Sequence, residues 1–127
     1  MEYKITICYH ARVKKYLKKL NRNEKNKVIV LIKKRVMEFL VKKDKRYIFQ
    51  DHFFEKLGRF DSTVYYLKLN VKDRVILSID EDPIFEQIIV NIFSICSEDK
   101  LKLEMQGIME SLYQKMINGT PCDEEEE

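Results

Sequence analysis

The stretch from Val64 to Cys96 constrains the fold more than any other part of the chain. VYYLKLN, RVILSID and IFEQIIVNIFSIC are rich in β-branched and aromatic residues, and only the short polar pieces VKD and EDP separate them. Connections this short join antiparallel neighbours, so the segment predicts a three-stranded meander. Alternation sorts the side chains. Tyr65, Leu67 and Leu69 point one way in the first strand, and Val64, Tyr66, Lys68 and Asn70 the other. In the second, Val75, Leu77 and Ile79 oppose Arg74, Ile76 and Ser78. The third strand is the most apolar and is expected at the centre of the sheet. Two cations, Lys68 and Arg74, thus stand inside the strands. Either they cover a wet sheet face, or that face holds an anion.

Upstream, YKITICY (Tyr3–Tyr9) alternates and reads as a strand. Val13, Tyr16, Leu17 and Leu20 recur at helical spacing, with Lys14, Lys15, Lys18 and Lys19 around them. A second helix follows, with Asn23 as the expected N-cap and Val28, Leu31, Ile32, Val36, Phe39 and Leu40 as its apolar positions, ending near Lys42. The short link between the two predicts a helical hairpin. Residues 43–63 show no regular pattern. After the meander, Ser97 is placed to cap a last helix, with Glu98 and Asp99 in its first turn and Leu101, Met105, Ile108, Leu112 and Met116 as the buried stripe. Gly119 and Pro121 end it. The expected fold is α+β in the order β-α-α-β-β-β-α: the N-terminal helical hairpin packs on one face of an antiparallel sheet, with part of the other face left to solvent. Leu67, Leu69, Val75, Leu77 and Ile79 then face the core, and Lys68 and Arg74 face out.

One domain over residues 1–118 suits a chain of 127 residues. Residues 119–127 form an acidic tail expected to be disordered. Charge is divided along the chain: residues 1–60 carry 18 Lys and Arg against 6 Asp and Glu, a net of +12, and residues 61–127 carry 6 against 15, a net of −9. The lysine rows of the first helix, one turn apart, are spaced to follow a phosphate backbone, or they are simply a solvated helix face. The tail is either an inert solubilising end or a nucleic-acid mimic that folds over the basic surface. Cys8, Cys96 and Cys122 lack metal-ligand spacing and no cofactor motif is present, so no metal and no cofactor are expected. Cys8 and Cys96 lie in apolar runs and read as buried reduced thiols. No leader and no membrane-spanning run is evident, which predicts a cytoplasmic protein without membrane contact.

The element order, the basic hairpin HARVKKYLKKL and the sequence YYLKLNVKDRVILSID resemble the RelE/ParE superfamily of toxin–antitoxin toxins, over roughly Tyr3 to Tyr113. That resemblance implies a RelE-like toxin partnered by a cognate antitoxin protein. It also implies action on mRNA at the ribosome as a metal-independent endoribonuclease (an mRNA interferase), and assembly as a homodimer or a toxin–antitoxin hetero-oligomer. In the implied chemistry a nucleotide 2′-oxygen attacks the adjacent phosphate and leaves a 2′,3′-cyclic phosphate. It needs a base, cations for the phosphorane and a proton donor for the leaving 5′-oxygen.

On the family pattern Lys68 and Arg74 are the catalytic cations. Arg59, Lys56, Tyr66, Lys72 and His52 are candidate RNA-binding residues, with Tyr66 able to stack on a base and His52 nearer the site than His10. The chain departs from the pattern after its last strand, where SICSEDKLK places Ser97, Glu98 and Asp99 at positions the family gives to cations. Three alternatives therefore stay open: a toxin with a different acid–base set, a ParE-like gyrase inhibitor, and a catalytically inactive RelE-fold binding protein.

Overall fold

The computed structural model describes residues 3–50, 64–118 and 125–126. The fold is mixed α+β. Among the described residues six strands form one sheet in the order β2-β3-β4-β5-β1-β6. They are β1 (Lys4–Tyr9), β2 (Ile48–Phe49), β3 (Val64–Lys68), β4 (Asp73–Asp82), β5 (Gln87–Ser97) and β6 (Glu125–Glu126). The helices are α1 (Ala11–Lys18), α2 (Arg22–Lys42) and α3 (Leu101–Asn118), the last preceded by a 3-10 turn at Glu98–Lys100. Relative to the expected order, β2 and β6 are additions. Two-residue strands carry no alternation to read.

The meander is antiparallel as expected, and β5 is central. The sheet as a whole is mixed, because β1 pairs with β5 in parallel, Ile7 opposite Val90. This corrects the antiparallel expectation. The chain between β1 and β5 is long enough to return it to the same end of the sheet, as a parallel pair requires. At the outer edge of β1, the backbone of Glu125–Glu126 pairs antiparallel with Cys8 and Tyr9. The other residues of the acidic tail, 119–124 and 127, lie outside the described residues.

A second correction concerns the layers. Val13 and Leu17 of α1 and Ile32 and Val36 of α2 pack with Leu67, Val75, Leu77, Val90 and Ile92 as one core on one face. Met105 and Ile108 of α3 pack with Val64, Ile76 and Phe93 on the other. Helices thus cover both faces, and α3 lies on the face expected to be wet. The apolar residues Val64 and Ile76 on that face had to be buried by something, and the stripe of α3 does it.

Local signals explain the helix ends. Asn21, not Asn23, caps α2: it is extended, and its side chain accepts the Glu24 N–H at 2.9 Å. Asn21 and Glu24 stand three residues apart, the capping-box interval, which places the cap two residues upstream of the expected one. Ser97 is the N-cap of the 3-10 turn and makes no side-chain cap bond. A shift in register between Ile76 and Leu77, where Ile76 opposes Ser94 and Leu77 opposes Ile92, is a bulge in β5. It turns both Phe93 and Ser94 toward α3.

A candidate anion site at the β3–β4 corner

Lys68 and Arg74 are direct cross-strand partners at the turn end of the β3–β4 hairpin. Asn70 builds the turn between them. Its Oδ1 accepts the N–H groups of Lys72 and Asp73 at 2.9 and 2.8 Å, and its Nδ2 donates to Asp73 Oδ2 at 3.1 Å. An Asn side chain replacing backbone partners in this way fixes a short turn. Lys68 is exposed, Lys72 is exposed, and Tyr66 is half-buried with its ring 5.4 Å from that of Phe49. Of the residues expected in the site, Lys68, Arg74, Tyr66 and Lys72 come from this one corner. Lys56, Arg59 and His52 lie outside the described residues.

Arg74 differs from expectation. It is 7% exposed. Its Nη1 donates to the carbonyl oxygens of Asn70, Asp73 and Val71 at 2.9, 3.2 and 3.4 Å, and its Nη2 lies 3.3 Å from Glu98 Oε2. The Glu98 N–H in turn donates to the Lys72 carbonyl at 2.8 Å. The guanidinium therefore ties the hairpin turn to the 3-10 turn after β5. A buried cation needs such partners to offset its desolvation. Of the two acids at the positions where cations were expected, Glu98 is the counter-ion of Arg74. Lys68 is the exposed member of the pair, and the field of Lys68 and Lys72 is opposed by Asp73, Glu98 and Asp99.

Cys96 stands opposite Arg74 on β5. Burial, aided by Glu104 and Asp73, pushes its thiol up to about 11. The sulfur stays protonated at neutral pH and is a poor nucleophile. Cys8 and Cys96 are half-buried rather than buried.

A polar chain crosses the same sheet face farther along. Ser78 Oγ donates to Asp80 Oδ2 at 3.1 Å, so it accepts from Asn91 Nδ2 at 3.3 Å. That leaves Asn91 Oδ1 to accept from His10 Nε2 at 3.2 Å, which fixes the imidazole as the Nε2–H form when neutral. His10 also rests against Phe93, ring centroids 4.6 Å apart. His10 cannot serve the Lys68 corner. Its partner Asn91 is five residues before Cys96 on β5, a separation of roughly 16 Å along a strand at about 3.3 Å per residue. Phe93 and α3 fill the space between. Polar Ser78, Asp80 and Asn91 inside apolar strands were the available signal for this chain of bonds.

Among the described residues no cluster of His, Cys, Asp or Glu could hold a metal ion, and no helix is long and apolar enough to cross a membrane. The outer surface of the first two helices is cationic. Within residues 11–42, Arg12, Lys15, Lys18, Lys19, Arg22, Lys25, Lys27, Lys34 and Lys42 are exposed, against Glu24 alone among acids. Arg12 is paired with Glu104 of α3 at 3.2 Å, and Glu104 also accepts the Ser94 hydroxyl at 3.4 Å. No family model, curated protein or solved structure matches the chain.

Proposed function

We propose that this chain is a RelE-like toxin of a toxin–antitoxin pair that engages ribosome-associated mRNA. The observation that carries the reading is the cationic outer surface of α1 and α2, with nine exposed cations against one exposed acid. Such a surface gains affinity for a phosphate backbone by releasing counterions, whatever the base sequence. The order strand, two helices, antiparallel meander and C-terminal helix, which underlies the resemblance, also supports it. In this reading the Lys68 ammonium stabilises charge on the phosphorane when the 2′-oxygen attacks, and Tyr66 offers a ring for stacking. Arg74 is a positioning residue that holds the turn.

A second reading, a RelE-fold protein that binds without cleaving, is favoured by one specific observation. Both terminal nitrogens of Arg74 are already engaged, Nη1 by three carbonyls and Nη2 by Glu98.

Controlled expression in a bacterial host, with translation and DNA synthesis followed separately, tests both readings. The leading reading expects translation to stop and Lys68→Ala to relieve the arrest. Loss of one transition-state donor of this kind is worth about 2–4 kcal/mol. Continued translation sinks it. Arrest of DNA synthesis would then indicate a gyrase inhibitor, and no arrest a binding protein without cleavage.

A further inference from the structure

Five large apolar side chains lie exposed at adjoining places. Ile84 and Phe85, 83% and 74% exposed, form the tip of the β4–β5 hairpin, and Val30, Met37 and Val41 run along one stripe of α2. Lys34 falls on the same stripe, at the helical interval between Val30 and Met37. Beside the stripe a groove of about 380 Å³ opens between α2 and β1, lined by Tyr3, Ile5, Ile7, Lys33 and Met37. The tip borders this groove, because the Lys4 N–H donates to the Glu86 carbonyl at 3.0 Å and Tyr3 is the next residue.

The tip is held in shape. Asp82 Oδ1 accepts the Phe85 N–H and its Oδ2 accepts from Gln87 Nε2, both at 3.3 Å, and Glu86 takes a positive φ of 51° that closes the turn. Apolar residues on an ordered turn can be buried by a partner at low ordering cost. Exposed apolar groups gathered in this way mark an interaction surface more often than scattered ones do.

The charges identify the partner. The tip carries Glu81, Asp82 and Glu86 around its apolar pair, and the α2 side carries Lys33 and Lys34 around its own. One surface thus holds an acidic apolar projection and a basic apolar recess side by side. We propose that the chain forms a two-fold dimer in which the hairpin tip of each copy seats against the α2 groove of the other. Contact in both directions is what a two-fold operator requires of a self-complementary patch. A stable interface takes about 800 Å² from each partner. Two tip residues cannot supply that, so tip and stripe are buried together. The inference is independent of the activity proposed above.

Sedimentation equilibrium of the full chain across the micromolar range is the test. A dimer is expected, weakened by salt. Glu81→Lys with Glu86→Lys reverses the tip, and Lys33→Glu with Lys34→Glu reverses the groove. Each double variant alone should dissociate at least about tenfold more readily, since like charges then face each other. An equimolar mixture of the two should recover a heterodimer, in which both contacts again pair opposite charges. That recovery also shows that both variants are folded. A monomeric wild type, growth into open-ended oligomers, or a dimer indifferent to the reversals would each overturn the proposal. Failure of the mixture to recover would overturn it too.

Discussion

On the sheet face under α1 and α2, the central strands present apolar side chains in succession: Val75, Leu77 and Ile79 of β4, and Ile88, Val90, Ile92 and Ile95 of β5. On the face under α3 the same strands present Arg74, Ile76, Ser78 and Asp80, and Asn91, Phe93, Ser94 and Cys96. A small apolar core there is bordered by polar side chains bonded to one another. The first face removes more apolar area from water and contributes the larger share of stability. The second tolerates polar groups because each finds partners, and it is where the corner with Lys68 is built. Packing and chemistry have been given separate sides of one sheet.

The comparison breaks first if the large core is not the stronger one. Leu77→Ala empties a fully buried site on the α1–α2 face and should cost about 3–5 kcal/mol, while Met105→Ala on the α3 face should cost about 2–3 kcal/mol, both read from urea unfolding. Equal losses would mean the α3 face carries as much of the stability. Next in size is Arg74→Met. It removes the guanidinium from the Asn70 and Val71 carbonyls, while the Asp73 carbonyl keeps the Leu69 N–H and the exposed Glu98 returns to water, so about 1–3 kcal/mol should be lost. A variant as stable as the parent would show that the guanidinium does not brace the turn.

A chemical readout sharpens the same face. With its thiol held up to about 11, Cys96 should alkylate at pH 8 at least about tenfold more slowly in the folded chain than after unfolding, followed by mass spectrometry. The folded state keeps the thiol proton more tightly than the unfolded one. The contribution to stability is therefore complete below the ordinary thiol range and is lost as pH rises toward 11. Rapid labelling of the native protein at pH 8 would contradict this burial. The smallest effect belongs to Lys68→Ala, which should shift stability by no more than about 0.5 kcal/mol, because the side chain is exposed. Arg74→Met and Lys68→Ala sit opposite each other on one rung, so their difference isolates burial from charge.

What could be read from the residues alone was local. The alternation of VYYLKLN and RVILSID assigned each side chain to its face correctly, the turn at Asn70–Asp73 was visible, and α2 ended near Lys42 as expected. These features depend on contacts between residues a few positions apart, and the order of residues encodes such contacts directly. The cationic helices were equally plain from charge counting.

Other features depended on where distant segments came to rest. The parallel pairing of β1 with β5 and the seat of α3 on the second face join residues far apart in the chain. Several arrangements bury similar apolar area, and only the packed fold selects one. The fate of Arg74 was settled in the same way. Its neighbours Asn70 and Asp73 were in view as turn residues, but its burial needed Glu98 brought back from beyond β5. A pattern of two alternating cations is the same whether both are wet or one is enclosed. The tertiary structure made them different by closing the second turn over one of them.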